Sequence, residues 1–170
     1  FRLSCPALAE LARPGQFAQI RLPGHSLRRP ISICGIHREK GELRFVFQVR
    51  GQGTAELAEF RAGDCLEILA PLGRGFPIDK TKKTLLIGGG IGVPPLLGAA
   101  EELGGSAVAV LGFRNQEAVI LEEDFCRAGA KVLVATDDGS YGHHGLVTEL
   151  AGQEDFQVVM ACGPRPMLKA

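Results

Sequence analysis

Residues 88–92 read Gly-Gly-Gly-Ile-Gly and run into Val93, Pro94 and Pro95. They lie between an apolar run, Thr84–Ile87, and an Ala/Leu/Glu-rich stretch. Glycines at such a junction let backbone approach a pyrophosphate, and a helix N-terminus supplies free N–H groups and partial positive charge. Pro94 and Pro95 suit a first helical turn, where a missing donor costs little. The spacing departs from G-x-G-x-x-G, because Pro95 stands where the third glycine belongs. The Gly-Lys-Ser/Thr ending of an ATP-binding loop is missing too, which argues against ATP hydrolysis. The alternative is a tight strand-to-helix turn with no ligand.

Four further stretches carry chemistry. In "RRPISIC", Arg28–Cys34, a guanidinium at Arg29 held by Pro30 can grip a phosphate with two hydrogen bonds, and Ser32 can donate to a ring nitrogen. A surface basic pair before an edge strand is the competing reading. In "GQGTAEL", Gly51–Leu57, a glycine turn feeds a helix, and Thr54 either caps it or helps hold a second phosphate. "TDDGSYGHHG", Thr136–Gly145, ends an apolar run, as do the loops that line the ligand crevice of open α/β sheets. Asp137 or Asp138 there can accept from ribose hydroxyls. Asp138 also stands where a hydrolase nucleophile elbow needs glycine. His143 and His144 lack further ligands at metal spacing and read as solvated loop histidines. In "ACGPRPM", Ala161–Met167, the turn reads as a binding loop, with Cys162 at its rim or as a small buried hydrophobe.

The elements that must position these residues fall into two rhythms. The first half holds short runs, "QFAQIRL", "ISICGIH", "LRFVFQV" and "CLEILA", bounded by Gly, Pro or charge. In the third, Leu43, Phe45, Phe47 and Val49 alternate with Arg44, Val46, Gln48 and Arg50, the period of a strand over 43–49. This spacing predicts a small antiparallel barrel, with one short helix in "GTAELAEF". The second half alternates buried runs, "TLLIGG", "SAVAVLGF", "AKVLVAT" and "FQVVMAC", with helical patterns, "PPLLGAAEELGG", "AVILEEDFCRAG" and "GLVTELAG". That pattern predicts a parallel sheet with helices on both faces. The seam is "PLGRGFPIDKTKK", and the expected domains are 1–78 and 79–170.

Composition narrows the classes. Lys+Arg and Asp+Glu are both 19 in 170 residues, which gives no basis for a nucleic-acid or anionic-membrane partner. The 23 glycines and 10 prolines punctuate turns without a repeat. Cys5, Cys34, Cys65, Cys126 and Cys162 fit no disulfide framework and no Cys-x-x-Cys metal site, so free thiols in a reducing cytoplasm are expected. No signal peptide is legible, and the longest apolar stretch, Leu85–Ala100, is broken by glycines and two prolines. The opening "FRL" has no Met and reads as the middle of a strand, so a missing start is expected.

Taken in order, Arg-Pro-x-Ser, Gly-x-Gly-Thr, Gly-Gly-Gly-x-Gly and Cys-Gly-Pro-x-Pro-Met resemble the ferredoxin–NADP reductase superfamily. Within it, "RRPISIC", "GQGT", "PLGRGF", "GGGIGVPPL", "LGFRN", "TDDGSYG", "GLVTEL" and "ACGPRPMLKA" look most like the electron-transfer subunits of class B dihydroorotate dehydrogenases. The resemblance implies an FAD-binding barrel followed by an NAD-binding α/β domain. It matches Arg29, Pro30, Ile31 and Ser32 to the family's flavin motif, with Arg29 on the FAD pyrophosphate and Ser32 by the isoalloxazine. Val46, Phe47 and Gln48 fall where relatives often read Leu-Tyr-Arg, and Gly53 and Thr54 match the second flavin loop. Ile31 replaces the ring-stacking Tyr of related reductases. Gly88, Gly89, Gly90, Gly92, Asp137, Asp138, Cys162, Gly163 and Pro164 fall on the NAD(H) side. No acid/base or nucleophile constellation accompanies them, as expected where cofactors carry the chemistry.

The family continues past "PMLKA" into four cysteines that hold a [2Fe–2S] cluster. No such run occurs here, so no cluster is expected in this chain and one is expected in an intact protein. The implied partner is an FMN-bearing catalytic subunit that oxidises dihydroorotate to orotate, in a heterotetramer. The acidic "TDD" favours NADH over NADPH by like-charge repulsion of a 2′-phosphate, while Arg114 argues weakly the other way. The rival readings are a sulfhydrogenase- or transhydrogenase-type flavin subunit, a non-catalytic nucleotide-binding module, and an unrelated α/β enzyme.

Overall fold

The computed structural model describes residues 1–169. The chain divides into two compact units, Phe1–Gly75 and Phe76 onward, and the division falls inside the Pro/Gly/Lys-rich seam.

The first unit contains β1 (Arg2–Ser4), α1 (Pro6–Leu11), β2 (Phe17–Arg21), β3 (Arg29–His37), β4 (Glu42–Phe45), α2 (Gln52–Glu59) and β5 (Glu67–Leu72). Its strands form one curled sheet in the order β1-β4-β3-β2-β5, antiparallel at every pairing. Register shifts between Phe17 and Gln19 and between Ile33 and Gly35 mark bulges, which bend strands. Alternate residues point inward: Ala18 and Ile20 from β2, and Leu43 and Phe45 from β4, are fully buried with Ile33 and with Leu57 of α2. Ala9 and Ala12, on and just after α1, close the same core.

Two expectations need correcting here. The strand expected over 43–49 stops at Phe45, because the ladder to β3 ends at Ile33↔Phe45 and that to β1 at Arg2↔Arg44. Period-two patterning continues beyond the point where pairing runs out. The segment "PALAEL", which drew no expectation, is α1, with Pro6 in its first turn.

The second unit contains β6 (Thr84–Gly89), α3 (Pro94–Leu103), β7 (Ala107–Phe113), α4 (Glu122–Arg127), β8 (Lys131–Thr136), β9 (His143–His144), α5 (Val147–Ala151) and β10 (Val158–Cys162). The sheet order is β10-β6-β7-β8-β9, parallel throughout. Helices cover both faces. A Cβ on Gly88 would meet Val93 and Leu96 at α3, while one on Gly112 would meet Val147 of α5. Gly88 pairs with Leu111 and Gly89 with Gly112, so Gly88 and Gly112 present opposite faces. On the α5 side Leu85, Val110, Ala135, Val147 and Ala151 form one buried cluster. Leu86, Leu96, Leu97, Ala109 and Phe125 are also fully buried in this unit. The chain steps outward from β6 to β9 and then returns to set β10 beside β6. That reversal is the topological switch point, where open α/β sheets bind ligands beyond the strand ends.

Candidate functional site

In the first unit two distant segments converge. Arg29 opens β3; its Nη1 donates to the Leu27 carbonyl at 3.0 Å, and its Nη2 lies 3.1 Å from His25 Nδ1. A guanidinium only donates, so Nδ1 accepts and the ring proton sits on Nε2. Nε2 then donates to Glu56 Oε2 of α2 at 2.9 Å. The first turn of α2 lies directly against the guanidinium, and a Cβ on Gly53 would overlap Arg29 Nε. Glycine at this position lets the helix approach the guanidinium closely.

The N-terminus of α2 is shaped by one side chain. Thr54 Oγ1 accepts from the N–H of Arg50 at 2.8 Å and of Gly51 at 3.1 Å, and donates to the Gly51 carbonyl at 3.0 Å. Its hydroxyl is spent on shaping the loop. The first helical hydrogen bond runs from Ala55 N–H to the Gly51 carbonyl, so the N–H groups of residues 52–54 precede the ladder. They stand beside Arg29. Arg28 faces a different partner, Glu67 Oε1 at 2.5 Å, which Arg21 also approaches at 3.6 Å. The Arg28 hydrogen bond holds the Glu67 carboxyl below the usual range.

The other expected flavin residues occupy this unit as follows. Ser32 is half-buried and pairs with Phe17, and Pro30 pairs with Gln19. Ile31 and Phe47 pack against the buried cluster. The Phe47 ring meets Phe1 edge-on, with centroids 5.9 Å apart. Val46 is half-buried, while exposed Gln48 accepts from Arg50 Nε at 2.8 Å. His25 and Glu56 drew no expectation from sequence. The one available signal was the "GH" turn four residues before Arg29.

In the second unit the glycine turn and the last loop meet at the switch point. Cys162 pairs with Gly88. A Cβ on Gly92 would overlap the Cys162 carbonyl oxygen, one on Gly89 would press on Pro164 and Met167, and one on Gly163 would press on Met167. Gly90 has φ +53°, left-handed and open on its side-chain side. These residues leave bare backbone where a pyrophosphate can lie at the head of α3, whose first turn holds Pro94 and Pro95. Half-buried Cys162 keeps its proton more tightly than usual because of burial. Met167, not singled out from sequence, packs against this turn and the α5-side cluster.

The loop after β8 is stitched to itself. Asp138 Oδ1 accepts from Ser140 Oγ at 2.6 Å and Ser140 N–H at 2.9 Å, and the Ser140 hydroxyl chiefly holds that carboxyl low. Gln116 N–H donates to Ser140 Oγ at 2.8 Å, tying in the loop after β7. Thr136 Oγ1 donates to the Tyr141 carbonyl at 2.7 Å. Asp137 is exposed. His143, in β9, lies 2.7 Å from Glu149 Oε2 and holds that carboxyl below its usual range. Among the described residues no group of three or more His, Cys, Asp or Glu side chains is placed to hold a metal ion.

No family model matches the chain. The dihydroorotate dehydrogenase B (NAD(+)) electron transfer subunit of Bacillus caldolyticus is 43% identical over 179 aligned residues, covering 99% of this chain and 69% of that protein. The subunit of the same name from Streptococcus mutans is 50% identical over 165 residues, covering 91% and 64%. Among solved structures, a chain of the NADH-dependent reduced ferredoxin–NADP oxidoreductase superposes with a TM-score of 0.88 at 33% identity, covering 99% of this chain and 64% of that one. The chain thus spans between 64% and 69% of the length of these relatives.

Proposed function

The chain belongs to the family of dihydroorotate dehydrogenase B (NAD(+)) electron transfer subunits, and on that premise we propose that it carries electrons between NAD(H) and a partner dehydrogenase through bound FAD. The observation that carries this reading is Arg29 laid against Gly53. It joins the two flavin motifs into one phosphate-gripping site within a single unit. Arg29 and the free N–H groups at the head of α2 hold the FAD pyrophosphate, with Thr54 fixing the loop. Pro30 to Ser32 and Val46 to Gln48 stand along the isoalloxazine. Gly88 to Gly92 and Cys162 to Pro164 take the NAD(H) pyrophosphate at the switch point, and Asp137 takes a ribose hydroxyl. Asp138 acts from behind by shaping that loop. The bound flavin supplies a ring that accepts an electron pair from a nicotinamide and releases electrons singly. The chain's own residues bind, orient and shield.

NADH is the expected donor, because the exposed carboxylates after β8 repel a 2′-phosphate. The partner is the FMN-bearing catalytic subunit that makes orotate in pyrimidine biosynthesis, in a heterotetramer. The described residues do not fit a [2Fe–2S] cluster. On this reading the cluster belongs to the part of its relatives' length that this chain does not span. Among the described residues no helix is long and apolar enough to cross a membrane, and five free cysteines favour a cytoplasmic setting. The test is to load the purified chain with FAD and add NADH without oxygen. Rapid bleaching of the yellow flavin band is expected. A chain that takes up no FAD, or whose flavin NADH leaves yellow, sinks the reading.

A further inference from the structure

Arg28 and Arg29 are neighbours held in opposite ways. Arg28 donates to a carboxylate, that of Glu67, which Arg21 also approaches. Arg29 donates to the Leu27 carbonyl and to His25 Nδ1. Both of these acceptors are neutral, since a ring nitrogen that accepts carries no proton. We propose that His25 is a positioning residue. It fixes the Arg29 guanidinium against the head of α2 without cancelling its charge, so that guanidinium and helix grip one phosphate group together. The inference rests on the flavin reading above and adds the residue that aims the cationic half of that grip.

The local sequence aims the ring. Leu22, Pro23, Gly24 and His25 form a tight turn, in which the His25 N–H donates to the Leu22 carbonyl at 3.3 Å and Gly24 takes φ +73°. Proline in the second place and a left-handed glycine in the third suit a type II turn. His25 thus leaves the turn with its backbone already bonded, and its side chain is 19% exposed. From there Nδ1 meets Arg29 Nη2 at 3.1 Å, and Nε2 meets Glu56 Oε2 at 2.9 Å. Glu56 follows Gly53 by three residues on α2, a spacing that sets both on one side of the helix. That side reaches Arg29 twice, directly at Gly53 and through the imidazole at Glu56.

The chemistry explains why a histidine stands here. The bonds from Nη1 and Nη2 define the plane of the guanidinium and leave its other N–H groups for a phosphate. A carboxylate in place of the ring would hold the plane as well, but it would pair with the charge that the phosphate needs. The imidazole keeps the two ions apart. Glu56 accepts from Nε2 and so fixes the tautomer whose Nδ1 accepts from Arg29.

Two substitutions separate aiming from tethering. An asparagine amide reaches the place of Nδ1, and a glutamine amide that of Nε2. His25→Asn therefore keeps an acceptor for Arg29 and gives up Glu56, while His25→Gln keeps Glu56 and gives up the acceptor. Titration with FAD is expected to show affinity weakened by about tenfold in His25→Gln and within about threefold of the unaltered chain in His25→Asn. Over Arg29→Ala, His25→Gln should add less than about twofold, because a residue that acts through another then has nothing left to aim. The opposite ranking, with glutamine retaining FAD and asparagine losing it, would assign His25 to tethering α2 and overturn the proposal. A full further loss over Arg29→Ala would overturn it too, as would unchanged FAD affinity in His25→Gln when Arg29→Ala weakens it. In each of these cases the flavin reading stands. If Arg29→Ala itself leaves FAD binding unchanged, the phosphate grip fails and the positioning role with it.

Discussion

Alanine at Gly92 drives a Cβ into the carbonyl of Cys162, and the obstacle is backbone, which has no rotamer to yield. A cost of about 1–3 kcal/mol is expected from such overpacking. Thermal unfolding of Gly92→Ala reads that loss, and an NADH titration should show binding weakened by about tenfold or more. Gly53→Ala is different in kind. Its obstacle is the far end of Arg29, which can swing away. Stability should change by less than about 1 kcal/mol, since alanine also favours helix, while flavin retention falls about as far as in Arg29→Ala. Equal flavin retention in Gly53→Ala, Arg29→Ala and the unaltered chain would refute the phosphate assignment. Sequence exposed the glycines and Arg29 because their types are chemically distinctive. It did not expose His25 or Glu56, whose role exists only once β3 and α2 lie side by side. Asp138 was legible as an acceptor, but its donor turned out to be Ser140, two residues away. A local turn and a ribose site make the same demand on composition.

At the scale of elements, α4 depends on one residue. Phe125 is its only buried side chain, and Phe125→Ala should cost about 3–5 kcal/mol, read as a lower denaturant midpoint. The β3–β4 corner carries a pH dependence. Burial, then Arg2 and Lys40, push the His37 imidazole below its ordinary value, Glu42 opposes them, and Arg44 adds to the push. Its Nε2 is buried without a partner. Below the ordinary imidazole value the unfolded chain takes up a proton that the folded chain resists. Stability present at neutral pH is therefore lost as pH falls through that value towards the lowered one. The melting temperature should drop more in the unaltered chain than in His37→Gln between about pH 7 and about pH 5. Parallel slopes for the two proteins would exclude this account. The parallel strands were legible because burial on both faces leaves continuous apolar runs, as in Thr84–Gly89. Strand β4 was overextended because alternation reports which way side chains face, whereas strand length is set by partners elsewhere in the chain. Strand β9 was invisible, since its two histidines carry no pattern and pair only with Ala135 and Thr136.

For the whole molecule, the order of motifs held more information than any motif alone. Each stretch was compatible with a plain turn or cap, yet the chain that carries them in this order matches a member of one family at 43% identity over 99% of its own residues. On the proposed function, these 170 residues loaded with FAD should oxidise NADH with ferricyanide as acceptor, and NADPH more slowly. Comparison of the two rates tests both the site and the donor preference. A reversed preference would point to Arg114 outweighing Asp137.

The return of β10 to the side of β6 has a consequence for how the molecule comes into being. The glycine turn is synthesised early in the second unit, but the backbone it must touch arrives with the last strand. Pairing that skips three intervening strands is slow to form, because loop closure precedes its reward. On the proposed function, a nascent chain on the ribosome, finished through α5, would already contain every residue of the glycine turn and still have no place for a dinucleotide. Competence would then come in one step with the docking of β10, so half-made chains would draw nothing from the cell's pool of NAD.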